Sequence, residues 1–339
     1  LVPRLTSKEH YSDAGIPASQ FYFKEVRMKS GIYGILKAEF CDFDAFLSSK
    51  PPLHYKVYKI PKRTIGFRTI AQPTPILKKI QKTLVGLIEP HVKIHSNAAA
   101  YRLGKGVKEN ALSHINSNYL LKIDLEEFFN SITPNMLFKT LRQQHMDLSD
   151  IDKYVVEQVF FWNRSRRKNG RLILSVGAPS SPFISNLIMS KFDNDISMIC
   201  DRKGVSYTRY ADDMTFSTKE RDVIFSILAD VRRVLKNNFG NKMNVNELKT
   251  VFSSKAHNRR VTGVTLTNDN KISIGRERKR YISALTHKFK LGKLDISDIY
   301  HLKGLISYAR HVDGGFIRKL QKKYGVTTLE LIKKYPSEG

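Results

Sequence analysis

Asp212 and Asp213 stand side by side in Tyr210-Ala211-Asp212-Asp213, between Gly204-Val-Ser-Tyr-Thr-Arg209 and Met214-Thr-Phe-Ser-Thr218. Val205, Tyr207 and Arg209 alternate with Ser206, Thr208 and Tyr210, and Met214 and Phe216 alternate with Thr215 and Ser217. This period of two predicts two strands joined by a tight turn. Two adjacent carboxylates at a hairpin tip repel each other, which raises the cost of ionising both. A hard divalent cation removes that cost, since Mg²⁺ takes carboxylate and phosphate oxygens together. The alternative is an acidic surface turn, Asp being an ordinary turn residue.

A second, remote acid weighs against that alternative. In Tyr119-Leu-Leu-Lys-Ile-Asp124-Leu-Glu-Glu-Phe-Phe-Asn-Ser-Ile132 an apolar, strand-type run ends in a carboxylate and an aromatic pair. Alone, Asp124 also reads as a helix cap or turn acid. On a strand beside the hairpin, Asp124 and Asp212 would hold two ions about 3.5–4 Å apart, the two-metal arrangement for displacement at phosphorus. One ion would activate a 3′-hydroxyl and the other would stabilise the departing pyrophosphate.

Three blocks now stand in order: the strand from Tyr119 through Asp124 to Phe129, Gly177-Ala-Pro-Ser-Ser-Pro182, and Tyr210-Ala-Asp-Asp213. In order and spacing they resemble reverse transcriptases, over roughly residues 56–335. Asn110-Ala-Leu-Ser-His114 matches the Asn-Ala-x-x-His element of bacterial retron reverse transcriptases, and Val261-Thr262-Gly263 matches their Val-Thr-Gly element. The resemblance implies an α+β, right-hand polymerase with fingers, an antiparallel-sheet palm backed by helices, and a C-terminal helical thumb. The expected divisions are a lead at 5–55, fingers at 56–118, palm at 119–265 (with a finger segment at about 134–175) and a basic thumb at 266–339. The implied activity is RNA-directed DNA polymerisation with two Mg²⁺ ions, Mn²⁺ being a possible substitute.

The resemblance also assigns roles. Asp124, Asp212 and Asp213 would be catalytic metal ligands, and the Leu125 carbonyl a further ligand. Phe129 would lie under the incoming sugar and leave no room for a 2′-hydroxyl; its alternative is packing, with Phe128 the core ring of the pair. Lys62 and Arg68 would meet the triphosphate. The planar Arg fork suits phosphate, whereas Lys59, Lys62 and Arg63 are interchangeable by sequence. Gly177 and Ala178 would let backbone approach the nascent base pair, a use of small residues that packing alone would not demand. Val176 departs from the family, which usually has Gln there; this puts nucleotide affinity and fidelity in question but not the two-metal chemistry. Lys249 matches a lysine near the pyrophosphate and would act as a general acid, or else be a solvated lysine. Asn110, His114, Val261, Thr262 and Gly263, with Arg276, Arg278, Lys279 and Arg280, would position RNA. The alternative for Asn110 and His114 is a helix cap and a buried histidine.

The elements that must hold these groups are legible in outline. Tyr55–Ile60 and Gly66–Ile70 read as paired strands joined by the basic turn Pro61-Lys-Arg-Thr64. From Pro75, the apolar residues Ile76, Leu77, Ile80, Leu84, Leu87 and Ile88 trace one helix face up to Pro90. Residues 134–162 look helical. Ser180-Ser181-Pro182 predicts a helix start with hydroxyl caps and an early proline, followed by an apolar face of Ile184, Leu187, Ile188 and Phe192. Val223 to Leu235 carry another stripe, closed by Gly240. These stripes are core.

Composition is consistent with a polyanionic partner. Lys plus Arg is 58 against 31 Asp plus Glu, a net charge of +27, which favours nucleic acid by counterion release and steering. Residues 276–339 hold 15 Lys or Arg and 6 Asp or Glu, interleaved with Tyr281, Phe289, Tyr300, Tyr308, Phe316 and Tyr324; some rings are core and others are free to stack on bases. Two cysteines, Cys41 and Cys200, suit a reducing cytoplasm, and no apolar run has the length of a membrane span. Leu1-Val-Pro-Arg4 reads as a protease-site remnant of protein expression and is set aside.

The expected partners are deoxynucleotides, a cognate structured noncoding RNA, the RNA–DNA product (msDNA) made on it, and a separate effector protein in antiphage defence. Two alternatives remain. One is a bacterial reverse transcriptase of intron or diversity-generating type. The other is a scaffold that mainly binds an RNA–DNA hybrid and an effector.

Overall fold

The computed structural model describes residues 31–62 and 66–336. The expectations for 1–4, for the lead up to residue 30 and for turn residues 63–65 lie outside the described residues. In chain order the structure begins with helices α1 (Gly31–Glu39) and α2 (Phe43–Ser48), strands β1 (Tyr55–Pro61) and β2 (Phe67–Pro73), and helices α3 (Pro75–Ile88) and α4 (Val107–Leu112). Strand β3 (Tyr119–Leu125) leads to α5 (Phe128–Ser131), α6 (Pro134–Gln143) and α7 (Asp150–Phe160). Short strands β4 (Trp162–Asn163) and β5 (Leu172–Ile173) precede the long helix α8 (Ser181–Arg202). The hairpin β6 (Ser206–Tyr210) and β7 (Asp213–Thr218), helix α9 (Arg221–Phe239) and strand β8 (Val245–Ser254) follow. Strands β9 (Arg259–Val261), β10 (Val264–Leu266) and β11 (Ile272–Ser273) lead into α10 (Arg276–Lys290), α11 (Ile296–Val312), α12 (Gly314–Tyr324) and α13 (Val326–Lys334).

The chain divides into two compact units. One draws on residues up to Ile94 and on Glu127–Met189, the other on His95–Glu126 and Ser190 onward. In the first, β1 and β2 pair antiparallel with Tyr55 opposite Pro73 and Pro61 opposite Phe67. Leu77, Ile80, Leu84 and Ile88 are buried along α3, while Ile76 of the expected stripe is exposed. Val155, Val156, Val159 and Phe160 bury the matching face of α7.

The helix expected over 134–162 is two helices. His145 adopts a left-handed φ of 61°, and Ser149 opens α7 as a cap, its Oγ accepting from the Asp152 N–H at 3.2 Å. The predicted start at Ser180-Ser181-Pro182 is real, but its hydroxyl caps are not. Ser181 Oγ donates instead to the Ser175 carbonyl at 2.8 Å, and the buried Ser180 Oγ has no partner.

In the second unit a four-stranded antiparallel sheet has the order β6-β7-β3-β8. Ile224, Ile227, Val231, Val234 and Leu235 form the buried stripe of α9. A separate apolar cluster joins Ala111 and Leu120 to Val261, Val264 and Leu266, and to Ile282, Leu302, Ile306 and Leu320 of the C-terminal helices. Beta-branched and leucine side chains at strand and helix periods build this core. Among the described residues no helix is long and apolar enough to cross a membrane.

Candidate active site and nucleic-acid surfaces

Central strand β3 delivers Asp124 to one end of the sheet because its inward residues are apolar: Leu121, Ile123 and Leu125 are buried. On one side β7 pairs with it in a register that sets Asp124 opposite Asp213. Cross-strand partners in an antiparallel pair put their side chains on the same face. It is therefore Asp213, the first residue of β7, that faces Asp124, while Asp212 lies in the turn. The Leu125 N–H donates to the Asp212 carbonyl at 3.2 Å, tying that turn to the end of β3. Ala211, at the turn's apex, has a left-handed φ of 58°.

On the other side β8 pairs with β3 through a register shift between Lys122 and Asp124. Lys249 of β8 places Nζ 2.7 Å from Asp124 Oδ1. Lys122, two residues before Asp124 and so on the same face, lies 3.3 Å from Asp213 Oδ2. Sequence reasoning missed Lys122, although the period of two on β3 was sufficient to place it. Burial pushes the Asp213 carboxyl up from its usual range; Lys122 opposes this, and the charges of Asp212 and Asp124 add to it.

Among the described residues no three acids, histidines or cysteines converge as a ready-made ion cage; Asp124 and Asp213 are drawn onto lysines instead. The donor set nevertheless fits a hard divalent cation. It consists of oxygen ligands only, two of them in cross-strand register, with Asp213 bearing the repulsion of both neighbours.

Other predicted site residues fall in the first unit. Lys62 and Arg68 are exposed near the β1–β2 turn, Lys62 N–H donating to the Gly66 carbonyl at 2.9 Å. Phe128 is buried and Phe129 half-buried in α5, their rings edge-on at 5.3 Å between centroids. Gly177 has φ 123°, and a Cβ there would sit 3.0 Å from Ile70 Cγ2 and 3.1 Å from the Ala71 carbonyl. The Val176 carbonyl accepts from the Ala71 N–H at 2.8 Å. Packing of this segment on β2 therefore requires glycine by itself, contrary to the expectation that packing would not demand it. Ala178 is buried.

Asn110 and His114, expected to position RNA, are buried side chains. Their exposures are 2% and 0%. The His114 ring lies 2.7 Å from Ser217 Oγ through Nδ1 and 2.7 Å from Thr208 Oγ1 through Nε2. Burial pushes its pKa down to about 3, so the ring is neutral. Asn110 Nδ2 donates to Thr262 Oγ1 at 3.3 Å, and Thr262 Oγ1 to the Val107 carbonyl. Val261 is buried, leaving Gly263 alone exposed in that turn.

The basic residues of α10 are unlike one another. Arg276 and Arg280 are exposed. Arg278 lies over the Tyr308 ring at 5.0 Å and reaches the Gly263 carbonyl. Lys279 is 2.8 Å from Asp313 Oδ2, and Asp313 caps α12 by accepting from Phe316 N–H. Of the rings interleaved with these bases, some expected as core and others free to stack, Phe316 and Tyr324 are buried, whereas Tyr281 is exposed.

Residues 60–266 match the family described as reverse transcriptase (RNA-dependent DNA polymerase). Among curated proteins, the retron Ec83 reverse transcriptase of Escherichia coli is 55% identical over 92% of this chain and 100% of its own length. The retron Ec86 reverse transcriptase of the same species is 32% identical over 82% of this chain and 85% of its own. Among solved structures, telomerase from Candida albicans with a fragment of telomeric RNA aligns at TM-score 0.46 and 15% identity, covering 84% of this chain and 55% of that one. A foamy viral protease–reverse transcriptase with double-stranded DNA aligns at TM-score 0.43 and 14% identity, covering 98% of this chain and 50% of that one. The chain thus spans about half the length of these two solved structures. With the matched segment running from the end of β1 through β10 and a full-length relative at this identity, the chain belongs to the retron reverse transcriptases, RNA-directed DNA polymerases.

Proposed function

We propose that this polymerase copies part of a structured noncoding RNA into single-stranded DNA that stays joined to that RNA, starting from the 2′-hydroxyl of a guanosine within it. The product would serve antiphage defence together with a separate effector protein. The observation that carries the chemistry is the register of β3 on β7, which sets Asp124 against Asp213 beside Asp212. The retron type is supported by 55% identity to a retron relative along its whole length.

Asp124, Asp212 and Asp213 would hold two Mg²⁺ ions, with Mn²⁺ a possible substitute and the Leu125 carbonyl a further ligand. When bound, such a pair eases deprotonation of the attacking hydroxyl and offsets charge on the departing pyrophosphate. Lys249, already at Asp124, would donate a proton to the leaving pyrophosphate oxygen. Lys122 offsets charge on Asp213. Arg68, with Lys62, would bind the triphosphate, the guanidinium fork spanning two phosphate oxygens. Phe129 would exclude a 2′-hydroxyl from the incoming nucleotide. Exposed Arg276 and Arg280 would meet the RNA backbone.

Extension of a primed template with Mg²⁺ tests the acids. Asp212→Asn and Asp124→Asn should each abolish DNA synthesis with RNA binding unchanged, whereas substantial turnover in Asp212→Asn would remove the metal assignment. Sequencing nucleic acid recovered with the protein from its host tests the retron reading. A single branched RNA–DNA species supports it, and RNA without attached DNA favours a binding scaffold.

A further inference from the structure

A buried ion pair lies directly behind the turn that carries Asp212 and Asp213. Arg209, on β6, and Asp193, on α8, have side chains with no exposure to solvent. The guanidinium grips the carboxylate side-on, Nε donating to Oδ1 at 2.8 Å and Nη2 to Oδ2 at 2.6 Å. The Tyr207 hydroxyl donates to the same Oδ1 at 2.7 Å. The third nitrogen, Nη1, donates to the Ala211 carbonyl at 3.1 Å. The backbone of Arg209 is clamped as well, its N–H donating to the Asn97 carbonyl at 2.8 Å and its carbonyl accepting from Ala99 N–H at 2.7 Å. Asn97 in turn donates to Ser197 Oγ of α8 at 2.8 Å.

A buried ion pair is a poor device for stability, because desolvation of both charges offsets most of their attraction and apolar replacements often stabilise. What this pair supplies is a fixed donor at one carbonyl. That carbonyl belongs to Ala211, a residue with a Cβ held at φ 58°, a left-handed backbone region that disfavours any residue bearing a Cβ. The peptide after Ala211 sets the direction in which Asp212 leaves the turn and hence where Asp213 enters β7.

We infer that Asp193 and Arg209 are positioning residues for the polymerase reaction: the Asp193-anchored guanidinium holds the Ala211 peptide in its left-handed turn and thereby fixes the placement of the Asp212 and Asp213 carboxylates. Lysine cannot replace the arginine, since it lacks the planar fork that binds the carboxylate and the carbonyl at once. The inference rests on the proposed metal-binding role of these acids.

The test is a triple variant, Asp193→Leu, Arg209→Met and Tyr207→Phe, which removes the whole polar cluster and leaves an apolar one of similar volume. It is compared with Arg209→Lys and with Asp212→Asn, by thermal unfolding, steady-state primer extension, and binding of Mn²⁺ alone followed by the resonance of the free ion. The triple variant is expected to melt near the parent temperature, lose about 100-fold in kcat with little change in KM for deoxynucleotides, and bind Mn²⁺ about tenfold more weakly. Arg209→Lys is expected to show the same kcat-against-KM split. Parental kcat in either folded variant overturns the inference. If neither variant folds, the pair is a core element and the inference is overturned too. Parental Mn²⁺ binding by Asp212→Asn would instead overturn the metal reading, whatever the Arg209 variants do.

Discussion

The side-chain amide of Asn110 donates to the hydroxyl of Thr262, 3.3 Å away and 152 residues on in sequence. The two short elements that resemble retron enzymes most specifically are thus parts of one packed unit, in which α4 is tied to the β9–β10 turn. Their side chains support the fold from within, and Gly263 is the exposed part of the turn.

An Asn110→Ala, His114→Ala double variant should therefore fail alike on a generic annealed primer and on the cognate RNA. Removing the imidazole takes a partner from the buried Thr208 hydroxyl, at about 1–3 kcal/mol for an unsatisfied group, while Ser217 Oγ keeps the hydrogen bond it accepts from Ser117 Oγ. Thermal unfolding should show a lower melting temperature. Selective loss of self-primed synthesis with unchanged melting would restore a direct RNA role.

Acid should destabilise the protein partly through His114. Its folded pKa is pushed down to about 3, below the ordinary value near 6.5. Between those values the unfolded chain binds the extra proton, so the contribution is complete above about pH 6.5 and declines as pH falls, by about 1.4 kcal/mol per unit. Denaturant unfolding from pH 7 to pH 4 measures this. His114→Asn should start less stable and lose stability less steeply.

Gly177→Ala should destabilise the first unit even though the residue bears no functional group. The added Cβ would meet the Ala71 carbonyl at 3.1 Å in a backbone with φ 123°, a conformation that L side chains rarely adopt. The expected cost is more than about 1 kcal/mol, read as earlier loss of protection at β2 amides in hydrogen exchange. An unchanged exchange pattern would mean that the segment relaxes freely.

Arg276→Ala with Arg280→Ala should weaken RNA binding and reduce the salt dependence of log K by about one for each phosphate no longer neutralised, with melting unchanged. Lys279→Ala should behave differently, lowering the melting temperature as well, because Lys279 secures Asp313 at the start of α12. Salt titrations of affinity set beside melting curves separate the two classes.

The sequence by itself determined what depends on local pattern. Alternation around Tyr210-Ala-Asp-Asp213 placed the β6–β7 hairpin, the apolar run before Asp124 placed β3, and residues at three- and four-residue steps placed α3 and α9. Each signal lies within one element, where side-chain period and backbone geometry are coupled. The tertiary structure decided what depends on register and burial. Only the pairing of β3 with β7 set Asp213, rather than Asp212, opposite Asp124, and only β8 brought Lys249 to that carboxylate. Asn110 and His114 look the same in a sequence whether they face RNA or a core. Their surroundings come from Thr262, Ser217 and Thr208, which arrive from about a hundred residues away or more. Arg209 reads as one more base in a basic chain until α8 supplies Asp193. Long-range pairing fixes these partners, and no local preference encodes it.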